Sequence, residues 1–351
     1  MTNKLRNVFL GIGLAAVIVM LCTFDVESDE LWDGLKRAGL WLPAIIILWA
    51  FIYLMNAIAW HLIIRDGASN RVPFWFTYKL TISGYALNYA TPVGLMGGEP
   101  YRIMELSPYV GKSKAASSVI LYAMMHIFSH FIFWLFSILL YLLSYPINAT
   151  MATLLALTGA FCLLAIYFFM QGYKNGMAMR TLRLLGRIPL VKKWAVPFTQ
   201  RKQEALERVD QQIAELHRQR RTTFYASLGL EFLARIVGCL EVYFIMNILT
   251  TNVSFTACIL IVAFTSLFAN IFFFSPLQMG TREGGFALST GGLSIPSAFG
   301  LYTSLITRVR ELVWIIIGVL LMKVGNGKHN NTKKGIHLKT LKESSLTMVV
   351  Q

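Results

Sequence analysis

The sequence predicts an all-α, polytopic integral membrane protein, with about six full spans plus two oppositely oriented re-entrant or broken-helix hairpins forming an inverted repeat. Three observations predict it. The chain is 56% hydrophobic and only 14% charged, with mean hydropathy +0.58, which lies outside the range of a soluble domain. Its apolar runs are separated by loops whose lysines and arginines fall on one side of a consistent topology. Twice, the apolar pattern is broken by the same proline, glycine and glutamate layout.

In order, Val8 to Cys22 reads as the first span, followed by the acidic stretch Asp25, Glu27, Asp29, Glu30 and Asp33, suited to the outer face. Lys4 and Arg6 precede that span without a small-residue cleavage pattern after it, so a retained span is expected. Leu40 to Ile64 is the second span and delivers Arg65 and Arg71 to the inner side. Pro73 to Leu106 enters from that side and returns to it, because Lys112 and Lys114 follow. Ala115 to Tyr145 and Asn148 to Tyr173 are further spans and lead into the most basic loop, from Lys174 to Lys202. That loop should be cytoplasmic. Within it, Leu206, Val209, Ile213 and Leu216 recur at helical spacing over Arg201 to Arg221. They mark an amphipathic helix, lying on the membrane surface or packed on other loops.

Phe224 to Leu249 crosses outward, Ser254 to Phe274 re-enters and continues through Gly284–Gly292, and Phe299 to Met322 is the last span. The tail, 323–351, is basic and polar and is expected to be disordered and cytoplasmic. Residues 1–322 thus form one membrane domain, with 174–221 as its basic loop. Both termini are placed in the cytoplasm, and the net charge of +15 is explained by the inner loops rather than by nucleic acid. The cysteines Cys22, Cys162, Cys239 and Cys258 are isolated in apolar runs and show no metal or disulfide spacing.

The two breaks carry the chemistry. Pro92 disfavours helix at Thr91, Gly94, Gly97 and Gly98 loosen the backbone, and Glu99, Arg102 and Glu105 follow. Ser275-Pro276 to Glu283 repeats this layout: a hydroxyl residue precedes the proline and a glutamate lies seven positions after it, with Asn88 and Asn270 upstream. Irregular backbone at membrane depth must be buried in protein or line a wet cavity. Helices restarting at Gly98 and Gly280 would point free N–H groups at that cavity, which suits a phosphate. Two such hairpins entering from opposite faces are a transporter architecture.

Other charges lie inside spans. Glu231 and Arg235 are four apart and can pair, Glu241 follows on the same helix, and Arg308, Arg310 and Glu311 sit in the last span. Each costs about 2.5–3.5 kcal/mol at a helix centre on insertion scales, so they face each other or water. Either they are salt bridges that lock helices, or they line a polar pathway. Arg102, Arg282 and Arg308 are the best anion ligands, because a guanidinium offers forked donors to phosphate oxygens. Glu99 and Glu283 could receive a cationic headgroup, carry protons or hold those arginines. The headgroup-binding set is therefore Asn88, Pro92, Gly98, Glu99, Arg102, Gly280, Arg282, Glu283 and Arg308, with Glu231, Arg235, Arg310 and Glu311 as a supporting polar network. His126 and His130 share a helix face without an HExxH pattern or a third ligand; a hydrogen-bonded pair is expected, and neither metal nor cofactor. No catalytic nucleophile can be assembled. Trp32, Trp41, Trp75, Tyr78 and Trp194 near span ends read as interfacial anchors.

At the elbows the chain resembles the transmembrane, flippase-like region of lysylphosphatidylglycerol synthases. The first family element matches Asn88, Pro92, Gly94, Gly98, Glu99 and Arg102; the second matches Pro276, Gly280, Arg282 and Glu283, with Leu277 and Gln278 in place of two glycines and milder changes at Met279 and Thr281. The resemblance runs from about Leu40 to Met322 and implies a bacterial inner-membrane protein acting on lipids, with membrane lipids, anionic or lysyl-modified, as partners. In full-length synthases a separate soluble domain transfers lysine to phosphatidylglycerol; no such domain is expected after Met322, nor lysyl transfer. The expected function is a lipid translocator. The alternatives are an intramembrane lipid-modifying enzyme, with Glu99 or Glu283 as base, and an accessory membrane subunit of a lipid- or glycolipid-modifying partner. A homo-oligomer is compatible with all three.

Overall fold

The computed structural model describes residues 36–65, 72–90, 97–175, 221–249, 253–271 and 280–323, with single positions between 203 and 211. The first predicted span, the acidic stretch, most of the basic loop with its amphipathic helix, both elbow tips and the tail lie outside the described residues. What is described is helical: α1 (Trp41–Arg65), α2 (Phe74–Ala90), α3 (Gly98–Val110), α4 (Lys112–Ser144), α5 (Ala149–Asn175), α6 (Arg221–Leu249), α7 (Phe255–Ile271), α8 (Thr281–Gly292) and α9 (Ser297–Lys323).

Four of these, α1, α4, α5 and α6, are long and apolar enough to cross a membrane. Helix α9 has 27 residues, enough for about 40 Å of helix, but it carries Arg308, Arg310 and Glu311 along that length. The surface fits hydrocarbon. On α5, Leu154, Leu157, Phe161, Leu164 and Phe168 are all exposed, an apolar face that a water-soluble monomer rarely tolerates.

The interrupted segments fold back on themselves. The Phe76 ring meets Tyr109 at 4.7 Å, Thr81 meets Arg102, and Asn88 meets Gly98, so α3 runs antiparallel along α2. In the second hairpin, Thr265 packs against Gly285 and Ser289, and Phe268 against Gly284. The helix pairings repeat. Helix α1 packs on α6, α2 on α9 and α7 on α4, α3 on α4 and α8 on α9. Exchanging α1–α4 for α6–α9 turns each pairing into another that also occurs.

Close backbone approach makes the first hairpin possible. A Cβ at Gly98 would collide with the Gly84 carbonyl, and one at Gly84 would collide with the Arg102 guanidinium. Side-chain-free positions here let α3 sit directly on α2. Gly98→Val should therefore destabilise the protein by about 3 kcal/mol, the upper end for overpacking. Thermal unfolding in detergent would show it as a lower midpoint; an unchanged midpoint would mean that the two helices are not in backbone contact. Around this junction, Trp60, Leu80, Leu87, Tyr101, Tyr122 and Met125 form the main core where α1 to α4 meet.

Candidate functional site

Between the two hairpins lies a cavity of about 910 Å³. Its wall takes Glu99 and Arg102 from α3, His126 and His130 from α4, Glu231, Arg235 and Glu241 from α6, Arg282 from α8 and Arg310 from α9. Four of the charges placed inside spans, Glu231, Arg235, Glu241 and Arg310, thus converge on one space, while Arg308 and Glu311 lie outside its wall.

Helix α3 begins at Gly98, where the first-turn N–H groups lack partners within the helix. Asn88, on the facing helix, supplies one. Its Oδ1 accepts the Gly98 N–H at 2.7 Å, and its Nδ2 donates to Glu99 Oε1 at 3.0 Å. The asparagine upstream of the first elbow therefore caps the helix downstream of it and orients its first carboxylate. Asn88→Ala should cost about 1–2 kcal/mol, as the loss of a helix cap does. Amide hydrogen exchange would read this as faster exchange over Gly98–Arg102 with little change elsewhere. Uniform protection in the variant would remove Asn88 from that role. Pro92, also a predicted site residue, lies outside the described residues.

Arg102 is not held ready for a ligand. Its guanidinium is buried between the rings of Trp60, Tyr85 and Tyr122, with centroids 4.9–5.6 Å away. It donates to the Thr81 carbonyl at 3.2 Å and stands 3.7 Å from Glu99. Burial without an opposing bidentate carboxylate is offset by ring faces and backbone carbonyls. Its first task is to join α3 to α2.

In the second hairpin, Gly280 adopts φ +75°, a left-handed conformation that turns the chain into α8. Arg282 pairs with Glu311 of α9. Glu283 accepts from Arg308 at 3.2 Å and from the Ser304 hydroxyl at 3.1 Å. Glu311 also lies 3.7 Å from both Arg308 and Arg310. Arg308 thus reaches both carboxylates and holds Glu283 more closely than Glu311. Arg310 makes a bidentate pair with Glu241 at 2.8 and 2.9 Å, lies 3.7 Å above the Trp49 ring, and shares Glu241 with the Trp49 indole N–H at 2.9 Å.

Glu231 and Arg235, expected to pair along their helix, instead reach across to α4. Glu231 Oε2 lies 2.7 Å from His126 Nδ1, while Arg235 donates to the Ser129 hydroxyl and the His126 carbonyl, both at 2.6 Å. Helix α4 packs along α6 and offers polar groups that would otherwise be buried alone, so the inter-helical partners win. The His126 and His130 rings stand 5.6 Å apart, edge to face. No group of three potential metal ligands occurs among the described residues.

Sequence reasoning missed Trp49, Asn56, Tyr85 and Tyr122. Each is a polar-tipped side chain in the middle of a span rather than at its end, and that position was the available signal, because a buried Tyr O–H or Trp N–H needs a partner. Several atoms on residues lining the cavity have no hydrogen-bond partner among the described residues: Glu99 Oε2, Glu231 Oε1, His130 Nδ1 and Arg310 Nη1. Such groups suit a polar ligand or water.

Fold and site together define a polytopic helical membrane protein built around a charged internal cavity. The profile of the family described as Lysylphosphatidylglycerol synthase TM region matches residues 8–318, and the chain belongs to that family. No curated protein and no solved structure gives a match to this chain.

Proposed function

We propose that the chain is a lipid translocator of a bacterial inner membrane, carrying a phospholipid or an aminoacylated phosphatidylglycerol. In this reading the two hairpins are re-entrant from opposite faces and form an inverted repeat, with both termini cytoplasmic. The exchange of pairings between α1–α4 and α6–α9 supports that arrangement. The observation that carries the proposal is the composition of the cavity wall. Charged groups of both hairpins line it, yet it is also bordered by Ile127, Phe161 and Ile271, apolar side chains exposed on the outer surface of the helices. A lipid could place its headgroup among the charges and leave its acyl chains in the bilayer.

Access ranks the ligands. Among the charged groups of the wall, Glu99 and Arg282 keep 25% and 15% side-chain exposure, whereas Arg102, Glu231, Glu241 and Arg310 keep 5% or less. Arg282 is thus the first phosphate ligand and Glu99 its counterpart for an ammonium group, with Gly98 and Gly280 at the helix starts beside them. Arg102, Glu283 and Arg308 shape the hairpins that present these groups. The test is headgroup translocation in proteoliposomes with fluorescent phosphatidylglycerol and its lysyl derivative. Rates above protein-free vesicles support the reading; well-folded protein that moves neither lipid would sink it.

A further inference from the structure

We propose that the Glu231–His126 pair is a proton-binding site in the wall of the cavity, and that lipid movement is coupled to the movement of a proton through it. The second half rests on the translocator reading; the first half does not.

The inference begins with a contrast between two buried carboxylates on α6. Glu241 is fully engaged: Arg310 takes both of its oxygens, and Trp49 donates to one of them. That is how a structural carboxylate in an apolar interior is held. Glu231 is equally buried, at 1% exposure, yet no arginine donates to it among the described residues. Arg235, one helical turn away, gives its donors to Ser129 and the His126 carbonyl. The partner of Glu231 Oε2 is His126 Nδ1 at 2.7 Å, and Glu231 Oε1 has none among the described residues. The side chain that contacts this carboxylate is therefore a histidine, the residue type whose unperturbed charge change lies nearest neutral pH.

The geometry also gives the pair an accessible and an inaccessible end. His126 is 32% exposed, and it lines the cavity together with Glu231. Water in the cavity can deliver a proton to the imidazole, which passes it along the 2.7 Å contact to the carboxylate. The surroundings extend the relay. The Tyr85 hydroxyl lies 3.3 Å from His126 Nδ1 and 3.1 Å from the Tyr122 hydroxyl, and Asn56 donates to Tyr85 at 3.0 Å. His130 stands edge-on to His126 with its own Nδ1 unpartnered.

The titratable and charged groups facing the pair are Arg235 from α6, His130 and Tyr122 from α4, Arg102 from α3, and Tyr85 from α2 with the tilted Tyr53 ring of α1 behind it. Both arginines are held by other contacts, so neither is free to swing in and neutralise Glu231. Chains of glutamate, histidine and tyrosine inside a membrane are the usual form of a proton relay.

Coupling follows from the shared space. One proton taken from cavity water forms one N–H or O–H bond on the pair and adds one positive charge to the wall. An anionic headgroup entering the same cavity then binds better, and by linkage the bound headgroup raises the affinity for the proton by the same factor. Release of the headgroup returns the proton to water by breaking that bond.

Infrared difference spectroscopy of the purified protein, titrated downward from about pH 8 as far as it stays folded, tests the site directly, since a histidine-linked group gains charge as the pH falls. A carboxyl or imidazole band that titrates in the wild type and disappears in Glu231→Gln and in His126→Gln is expected. No titrating band in the wild type, or one that persists in both variants, overturns the site. If one variant fails to fold, the other decides. In proteoliposomes, a gradient of one pH unit should change the initial rate of phosphatidylglycerol translocation by up to about tenfold, the ratio of proton activities. In each folded variant that ratio should collapse to about one. Wild-type translocation indifferent to the gradient overturns the coupling. No wild-type translocation at any pH defeats the translocator reading and the coupling together, and the infrared titration still decides the proton site.

Discussion

Replacing Arg310 with methionine should destabilise the protein by about 3–5 kcal/mol, the cost of removing one partner from a buried ion pair. Arg310 is 1% exposed and binds both oxygens of Glu241, which is itself buried. Without it, Glu241 keeps only the Trp49 indole N–H among its described donors, and Glu311 loses one of three neighbouring arginines. The aromatic face of Trp49 loses its cation as well. Thermal unfolding in detergent should show a large fall in the midpoint. The double variant Arg310→Met, Glu241→Leu should recover much of it, because replacing a buried pair by apolar groups of similar size is often neutral. If the double variant is no more stable than Arg310→Met alone, the pair is not the source of the loss.

Translocation should fall about a hundredfold in the double variant Glu99→Gln, Arg282→Ala. Two charge-assisted hydrogen bonds to the moving headgroup, each contributing about 1.5 kcal/mol or slightly more, correspond to that factor. Arg282 is chosen because it is more exposed than Arg102; its loss takes a donor from buried Glu311, which keeps Arg308 and Arg310 at 3.7 Å, so some loss of stability is expected as well. Arg102→Ala would be a weaker test, since Arg102 also holds α3 to α2 and its loss would confound transport with folding. Glu99→Gln keeps an oxygen to accept from Asn88 while removing the charge. The reading predicts a variant that still folds, with a lowered unfolding midpoint, and that translocates slowly. A variant that is both stable and as fast as the wild type would place the headgroup elsewhere.

The two experiments divide the charged residues by function. Arg310 and Glu241 are closed on each other and hold α9 to α6. Glu99 and Arg282 on the cavity wall are more open than Arg102, Glu241 and Arg310. Glu231 and His126 fall between, since Glu231 is buried like the first pair but has an unsatisfied oxygen, while His126 is partly exposed like the second. Nothing in their residue types separates these groups, and only their surroundings do.

Much of this protein was legible in the chain alone. The long apolar runs gave α1, α4, α5 and α6 to within a few residues, because hydrocarbon forces each backbone to satisfy its own hydrogen bonds. The break after Ala90 and the restart at Gly98 followed from Pro92 and the glycines beside it, whose effects are local. The presence of charge inside a membrane protein required a protected polar site; Asn88, Glu99, Arg102, Glu231, Arg235, Arg282 and Arg310 of the named set lie on the cavity wall, while Gly98, Gly280, Glu283, Arg308 and Glu311 do not. What the chain could not supply was the pairing. The spacing of Glu231 and Arg235 suggested an ion pair along one helix, yet α4 lies close enough to take both. Arg102 looked like an anion ligand until Trp60, Tyr85 and Tyr122, drawn from three other helices, enclosed it. Sequence determines which residues a helix must hide, because burial and periodicity are properties of one segment. Which partner each buried charge meets depends on the register and rotation of several helices against one another, and those are decided only when the whole bundle packs.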